Sequence, residues 1–88
     1  MQIVTKVPNG KLLKINLDLQ DTRIQKISLR GDFFMYPEET ITDLEDFLLG
    51  QSVDNNLSKL IEDFLLENQV QVYGFTAQDL EDILMQQI

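Results

Sequence analysis

Two runs of alternating residues on either side of Pro8-Asn9-Gly10 constrain this chain more than any other feature. Ile3, Thr5 and Val7 alternate before the break, and Leu13, Ile15, Leu17 and Leu19 alternate after it. A period of two is what a half-buried strand requires, because successive side chains point to opposite faces, and a turn-forming break between two such runs marks a hairpin. A two-residue Asn9-Gly10 turn would set Lys6 beside Leu13 and mix a lysine into the apolar face. A three-residue loop pairs Ile3 with Ile15 and Thr5 with Leu13, places Pro8 at the first turn position and lets Gly10 take the left-handed conformation of the bulge. The three-residue loop is the reading adopted.

A second turn at Gln20, Asp21 and Thr22 leads into a third strand over residues 23–30, with Ile27 and Leu29 expected opposite Ile15 and Leu13. Ile24 breaks the period of two and would face the wrong side, which implies a bulge near Gln25. Three helices follow. Pro37 reads as the first helical position, with Glu38 and Glu39 near the positive end of the dipole; Ile41, Leu44, Phe47 and Leu48 share one face, and Gly50 closes the helix. Asp54 or Asn55 reads as the cap of a second helix whose stripe is Leu57, Leu60, Ile61, Phe64 and Leu65. Thr76 with Asp79 reads as a capping-box start, and Phe75 with Leu80 as a staple around a last helix burying Leu80, Ile83 and Leu84. Residues 69–75 read equally as a fourth strand or an extended linker. The expected fold is α+β: a three-stranded antiparallel meander followed by two to three helices packed on one sheet face, in a single domain over residues 1–88.

Composition narrows the function. The chain has no cysteine and no histidine, which removes disulfides, thiolate chemistry, the commonest general base and the commonest metal ligand. Residues 1–7 lack the apolar run of a signal peptide and no stretch approaches the ~20 apolar residues of a bilayer span, so a cytoplasmic location and no membrane partner are expected. Seven basic against fifteen acidic residues give a net charge of −8, a balance that argues against nucleic acid. The charge is divided: six of the basic and three of the acidic residues fall at or before Asp32, and one basic with twelve acidic residues follow. That asymmetry serves solubility or steers a partner, and says nothing of fold.

No phosphate-cradling glycine loop, metal-ligand cluster or nucleophile beside a base is present, so no catalytic residue and no bound cofactor or metal is assigned to this chain alone. Asp43, Glu45 and Asp46, and likewise Glu62, Asp63 and Glu67, lie off the apolar stripes and read as solvated faces. The unusual run is Gly31-Asp32-Phe33-Phe34-Met35-Tyr36-Pro37-Glu38-Glu39, where the third strand passes into the first helix. On the residues alone, Gly31 supplies a conformation that other residues resist, Asp32 hydrogen-bonds backbone ahead of the helix, and Phe33 and Phe34 fill core space, with one ring inward and one toward a partner as a mixed alternative.

A strand ending in Gly31-Asp32-Phe33-Phe34, preceded by Asp21-Thr22-Arg23-Ile24 and followed by an acidic helix start, resembles the C-terminal domain of lipoate-protein ligases. The resemblance is strongest to the free-standing form in two-protein ligases typical of archaea. It extends to Lys6-Val7-Pro8-Asn9-Gly10-Lys11-Leu12-Leu13 at the front, to Leu44-Glu45-Asp46-Phe47-Leu48-Leu49-Gly50, and to Tyr73-Gly74-Phe75-Thr76-Ala77-Gln78-Asp79-Leu80 at the close, four landmarks in order over nearly the whole chain. Thr22 stands where the family usually has a glycine, which leaves the turn type open. The family's catalytic domain, with its lipoate and ATP pockets and catalytic lysine, is absent from these residues, and no lysine here inherits that role.

What the resemblance implies is a non-catalytic accessory subunit that forms a heterodimer with a separate catalytic subunit. The complex would use ATP, magnesium and lipoate to make lipoyl-adenylate, then pass the lipoyl group to lysines of acceptors such as dehydrogenase-complex lipoyl domains and the glycine cleavage H protein. The alternative is a stand-alone acidic adaptor that binds some other protein. On the chosen register the outer sheet face carries Val4, Lys6, Leu12, Lys14, Asn16, Lys26, Ser28 and Arg30, two aliphatics among basic side chains, with nothing in a strands-then-helices order to cover them. Of these, Val4, Lys6, Leu12, Lys14, Lys26 and Arg30 are the candidate partner-docking residues.

Overall fold

The computed structural model describes residues 1–8 and 11–88. Three strands, β1 (Gln2–Lys6), β2 (Leu12–Gln20) and β3 (Arg23–Gly31), form an antiparallel meander in the order β1-β2-β3. Ile3 pairs with Ile15 and Thr5 with Leu13, and the Val7 amide donates to the Lys11 carbonyl at 2.9 Å, so the register is that of a three-residue loop. The conformation expected of Gly10 lies outside the described residues.

The second hairpin departs from expectation by two residues. Ile15 pairs with Leu29 and Leu17 with Ile27, while Leu13 lies opposite Gly31. One residue of the shift comes from the turn: Gln20 pairs with Arg23, leaving only Asp21 and Thr22 in the loop. Asp21 takes the left-handed conformation there (φ 57°), which a short polar side chain tolerates, so Thr22 does not need to be glycine. The other residue is the bulge at Gln25, where Leu19 pairs with Ile24 but Asp18 pairs with Lys26. The bulge returns Ile24 to the inner face, where it is fully buried. Because the total shift is even, Ile27 and Leu29 still face inward.

The next strand, β4 (Phe34–Tyr36), was not legible as one; it pairs with β5 (Gln71–Tyr73) in a separate two-stranded sheet. Residues 69–75 thus contain a strand, though not one added to the meander. Helix α1 (Thr40–Leu48) starts three residues beyond Pro37. Pro37 sits in a turn instead, its carbonyl accepting from the Thr40 amide at 3.1 Å and from the Thr40 hydroxyl. That placement follows from Tyr36, whose extended strand conformation is the one a residue before proline prefers. Helix α1 ends at Leu48, with Gly50 (φ 83°) just beyond.

Residues 50–53 then run along the free edge of β3: the Gly50 amide donates to Ile24 O (2.7 Å), Ile24 to Gln51 O (3.0 Å) and Val53 to Thr22 O (2.8 Å). Further along the same edge the Glu45 carboxylate accepts from the Leu29 amide at 2.7 Å, so Glu45 seals an open strand edge and is not purely a solvated residue. Helix α2 (Leu57–Glu67) and helix α3 (Ala77–Met85) complete the chain. The three helices bury Leu44, Leu48, Leu57, Ile61, Leu80 and Leu84 with Leu13, Ile15, Leu17 and Ile24 of the sheet, all below 2% exposure. Phe47 of α1 stacks on Phe64 of α2 with centroids 4.9 Å apart. The Thr76 hydroxyl accepts from the Asp79 amide (3.0 Å) while the Asp79 carboxylate accepts from the Thr76 amide (2.9 Å), the reciprocal box expected of this start.

Neither Asp54 nor Asn55 caps α2 as expected. Asp54, two residues before the cap position, accepts from the Asn56 amide through Oδ1 (2.9 Å), and Asn56 at the cap position makes no side-chain cap bond. The acceptor comes from another helix: Glu81 of α3 is 6% exposed, and its Oε1 takes the Ser58 amide at 3.0 Å while Oε2 takes the Gln78 side-chain amide at 2.8 Å.

Candidate interaction surfaces

The passage out of β3 is set by Gly31. Its φ is +138°, and a Cβ there would lie 2.2 Å from the Leu12 carbonyl oxygen, so any side chain would push β3 off β2. The Asp32 amide then donates to that same carbonyl at 2.8 Å. The Asp32 side chain is exposed and, against expectation, accepts from no backbone amide ahead of the helix among the described residues. A second constrained glycine meets the first segment from the far end of the chain. Gly74 has φ +116°, and a Cβ on it would lie 2.9 Å from both Asp32 O and Phe33 Cβ.

The two rings of the motif divide. Phe33 is half-buried and packs edge-on against Phe75, centroids 5.1 Å apart at 80°. Phe34 is 77% exposed, so the reading of both rings as core does not hold: one ring turns inward and the other outward. The cause is β4 itself: alternation sends Met35 inward, 4% exposed, and Phe34 and Tyr36 outward. Phe34 pairs across the strands with Tyr73, and Tyr36 with Gln71, so all four occupy one face. Tyr36 and Tyr73 are 71% and 59% exposed. The Tyr73 hydroxyl donates to Gln71 Oε1 at 3.0 Å.

These side chains line a groove of about 740 Å³ together with Phe33, Met35, Glu38 and Ile41. Gln71 also lines an adjoining groove of about 480 Å³ with Glu62, Leu65, Leu66, Gln69 and Val70, and Leu66 there is 79% exposed. No lysine or arginine lines either groove. An exposed apolar surface with aromatic rings at its centre is the composition of a protein-binding site.

The outer face of the meander is a second surface. Val4, Lys14 and Arg30 lie side by side across the three strands, Lys6 pairs with Leu12, and Lys26 with Asp18. Val4, Lys6, Lys14, Lys26 and Arg30 are exposed and Leu12 is half-buried. The ion pairs among the described residues are Met1 amine to Asp18 (3.4 Å) and Lys59 to Asp63 (4.0 Å); none involves Lys6, Lys14, Lys26 or Arg30. Among the described residues none buries Val4, Lys6, Lys14, Lys26 or Arg30 on this face.

For chemistry the described residues offer little. No three carboxylates come together in a way that could hold a metal ion, and no described helix is long and apolar enough to cross a membrane. The buried carboxylate is Glu81, held below the ordinary glutamate range by the Ser58 amide at the start of α2, against the opposing effect of burial. Its role is to cap a helix. Sequence reasoning missed it, although Glu81 stands four residues after Ala77 and three before Leu84, inside the buried stripe, where a charge needs a partner. It also missed Tyr36 and Tyr73; reading Phe34-Met35-Tyr36 as out-in-out would have found the first.

Comparison with known proteins agrees with the family suggested by residues 31–34. The family described as bacterial lipoate protein ligase C-terminus matches residues 1–84. The chain is similar to lipoate-protein ligase A subunit 2 of Thermoplasma acidophilum, with 45% identity over 53 residues, 60% of this chain and 55% of that protein. The aligned part thus spans about half the length of that relative. A similar structure is a chain from an archaeal lipoylation system, a bi-partite lipoate protein ligase and its E2 lipoyl domain from Thermoplasma acidophilum. That chain superposes with a TM-score of 0.74 at 33% identity, over 96% of this chain and 97% of its own length. A match from residue 1 to residue 84 takes in nearly the whole chain: the chain belongs to the lipoate protein ligase C-terminus family.

Proposed function

We propose that this protein is the accessory subunit of a two-part lipoate-protein ligase. It forms a heterodimer with a separate catalytic subunit and allows that subunit to activate lipoate with ATP and magnesium to lipoyl-adenylate, ahead of transfer to acceptor lysines. The observation that carries the reading is the end-to-end likeness to a chain from a bi-partite lipoate protein ligase system, in a molecule without cysteine or histidine whose described residues bring together no group that could hold a metal ion. The acceptors are lysines of lipoyl domains in dehydrogenase complexes or of the glycine cleavage H protein, reached through the catalytic subunit. The contribution of this chain is to bind and orient a partner; no step of the chemistry passes through its side chains.

The proposal distinguishes this chain from a stand-alone acidic adaptor by what it does to one partner. Incubated alone with lipoate, ATP and magnesium, it forms no lipoyl-adenylate; adenylate formed by the purified chain would refute a purely accessory role. Mixed with the catalytic subunit, it elutes as a 1:1 complex in size-exclusion chromatography with light scattering. An adaptor for some other protein would leave the two eluting separately.

A further inference from the structure

We infer that the outward face of β4 and β5, centred on Phe34, Tyr36 and Tyr73, is where the catalytic subunit docks, and that it receives an apolar segment of that protein flanked by arginine or lysine. This rests on the function proposed above and specifies its surface. The aromatic residues of the chain, five Phe and two Tyr, separate into two groups. Phe33 with Phe75 and Phe47 with Phe64 are paired within the molecule. Phe34, Tyr36 and Tyr73 are exposed together on one face of a sheet only three residues long.

Exposing three rings on so small an element leaves a large apolar area in water, and aromatic anchors of this kind dominate binding energy when a partner covers them. At ~150 to 250 Å² per ring, with 59% to 77% of each ring residue exposed, they supply roughly half of the ~800 Å² that a standard interface takes from each side. The face is also preorganised. Gly31 fixes the exit of the chain against β2, Gly74 fixes the close approach of the β5 segment to residues 32–33, and Phe33 anchors the face to Phe75, so little ordering remains to oppose association.

Charge selects the occupant. Glu38 lines the aromatic groove and Glu62 the adjoining one, with no basic residue in either. A cationic rim on the partner complements them, and a guanidinium can also lie on an exposed tyrosine ring. A second copy of this chain is a poor occupant: a two-fold dimer would set the same face and the same Glu38 against itself, in molecules of net charge −8. The basic sheet face is the other unoccupied surface, yet water alone satisfies exposed lysines.

Calorimetry with the full-length catalytic subunit encoded in the same genome tests this. Phe34→Ala and Tyr73→Ala each weaken binding by about 30-fold or more, Glu38→Lys weakens it at low salt and less at high salt, and all three keep the wild-type melting temperature. Should Phe34→Ala lower that temperature, Tyr36→Ser, at the other end of the strip, replaces it in the test. Wild-type binding with both aromatic variants within threefold overturns the inference and leaves the accessory role standing. So does a Lys14→Glu variant that alone loses affinity. A dimer of the isolated chain in sedimentation that Phe34→Ala abolishes also overturns it, by assigning the face to a second copy. No association of the wild-type proteins at all would remove the proposed function, and this inference with it.

Discussion

Replacing Glu81 by Ala tests whether a side chain from α3 holds the start of α2. In the native molecule Glu81 accepts the Ser58 amide at 3.0 Å and the Gln78 amide at 2.8 Å while only 6% exposed. Hydrogen bonds to a charged group contribute ~1.5 to 3 kcal/mol, and losing an N-terminal cap costs ~1 kcal/mol. The two descriptions overlap, because the Ser58 bond is the cap, and desolvation of the carboxylate offsets part of the gain. A net loss of about 2 kcal/mol is expected, and it lowers the melting temperature of a domain this size by roughly 8 to 16 °C. Glu81→Gln keeps a neutral acceptor and should lose about half as much.

The pH dependence gives a second readout of the same contact. The folded-state pKa of Glu81 is lowered, so its contribution is fully present above the unfolded value of ~4.3 and is lost as pH falls through the lower folded value. Thermal melts followed by circular dichroism at neutral and acidic pH should show the gap between the wild type and Glu81→Gln closing on acidification. An Ala variant that melts with the wild type, or a gap that does not change with pH, would show that α2 does not depend on this carboxylate.

The other perturbations follow from the geometry of residues 12–33. Gly31→Ala places a methyl 2.2 Å from Leu12 O at φ +138°; it should separate β3 from β2 at that end and leave little folded protein, so a normally melting variant would contradict the close approach. Phe33→Ala removes a half-buried ring packed on Phe75 and should cost about 2 kcal/mol, below the ~3 to 5 kcal/mol of a fully buried phenylalanine; equal stability of Phe33→Ala and Phe34→Ala in urea would refute the division of the pair. A Leu12→Asp, Lys14→Glu double variant should stay folded, since Lys14 is exposed and Leu12 half-buried on the uncovered face, and its ligase stimulation reports directly on the basic sheet face.

The meander was legible because alternation fixes which side chains share a face, and that parity survived even where the register did not. The displacement in the second hairpin was beyond reach of pattern alone: it is the sum of a two-residue turn, made possible by Asp21 at positive φ, and the bulge at Gln25. Ile24 announced the bulge; nothing announced the shorter turn. Pro37 misled because proline suits a helix start and a turn equally well, and only the extended Tyr36 before it decides between them. The cap of α2 and the sealing of β3 by Glu45 are contacts between elements distant in sequence, which local signals such as the Thr76 capping box do not encode. Part of the site was visible as an unusual run at residues 31–34. Its other half, Tyr73 and Gln71, became visible only when β5 paired with β4.

Pyrophosphate release on mixing this protein with the catalytic subunit, lipoate, ATP and magnesium tests the accessory role most directly. The account predicts release that rises with added accessory protein until the two are equimolar and then levels off, with none from this chain alone. Release by the catalytic subunit that is unchanged across the whole titration would contradict it.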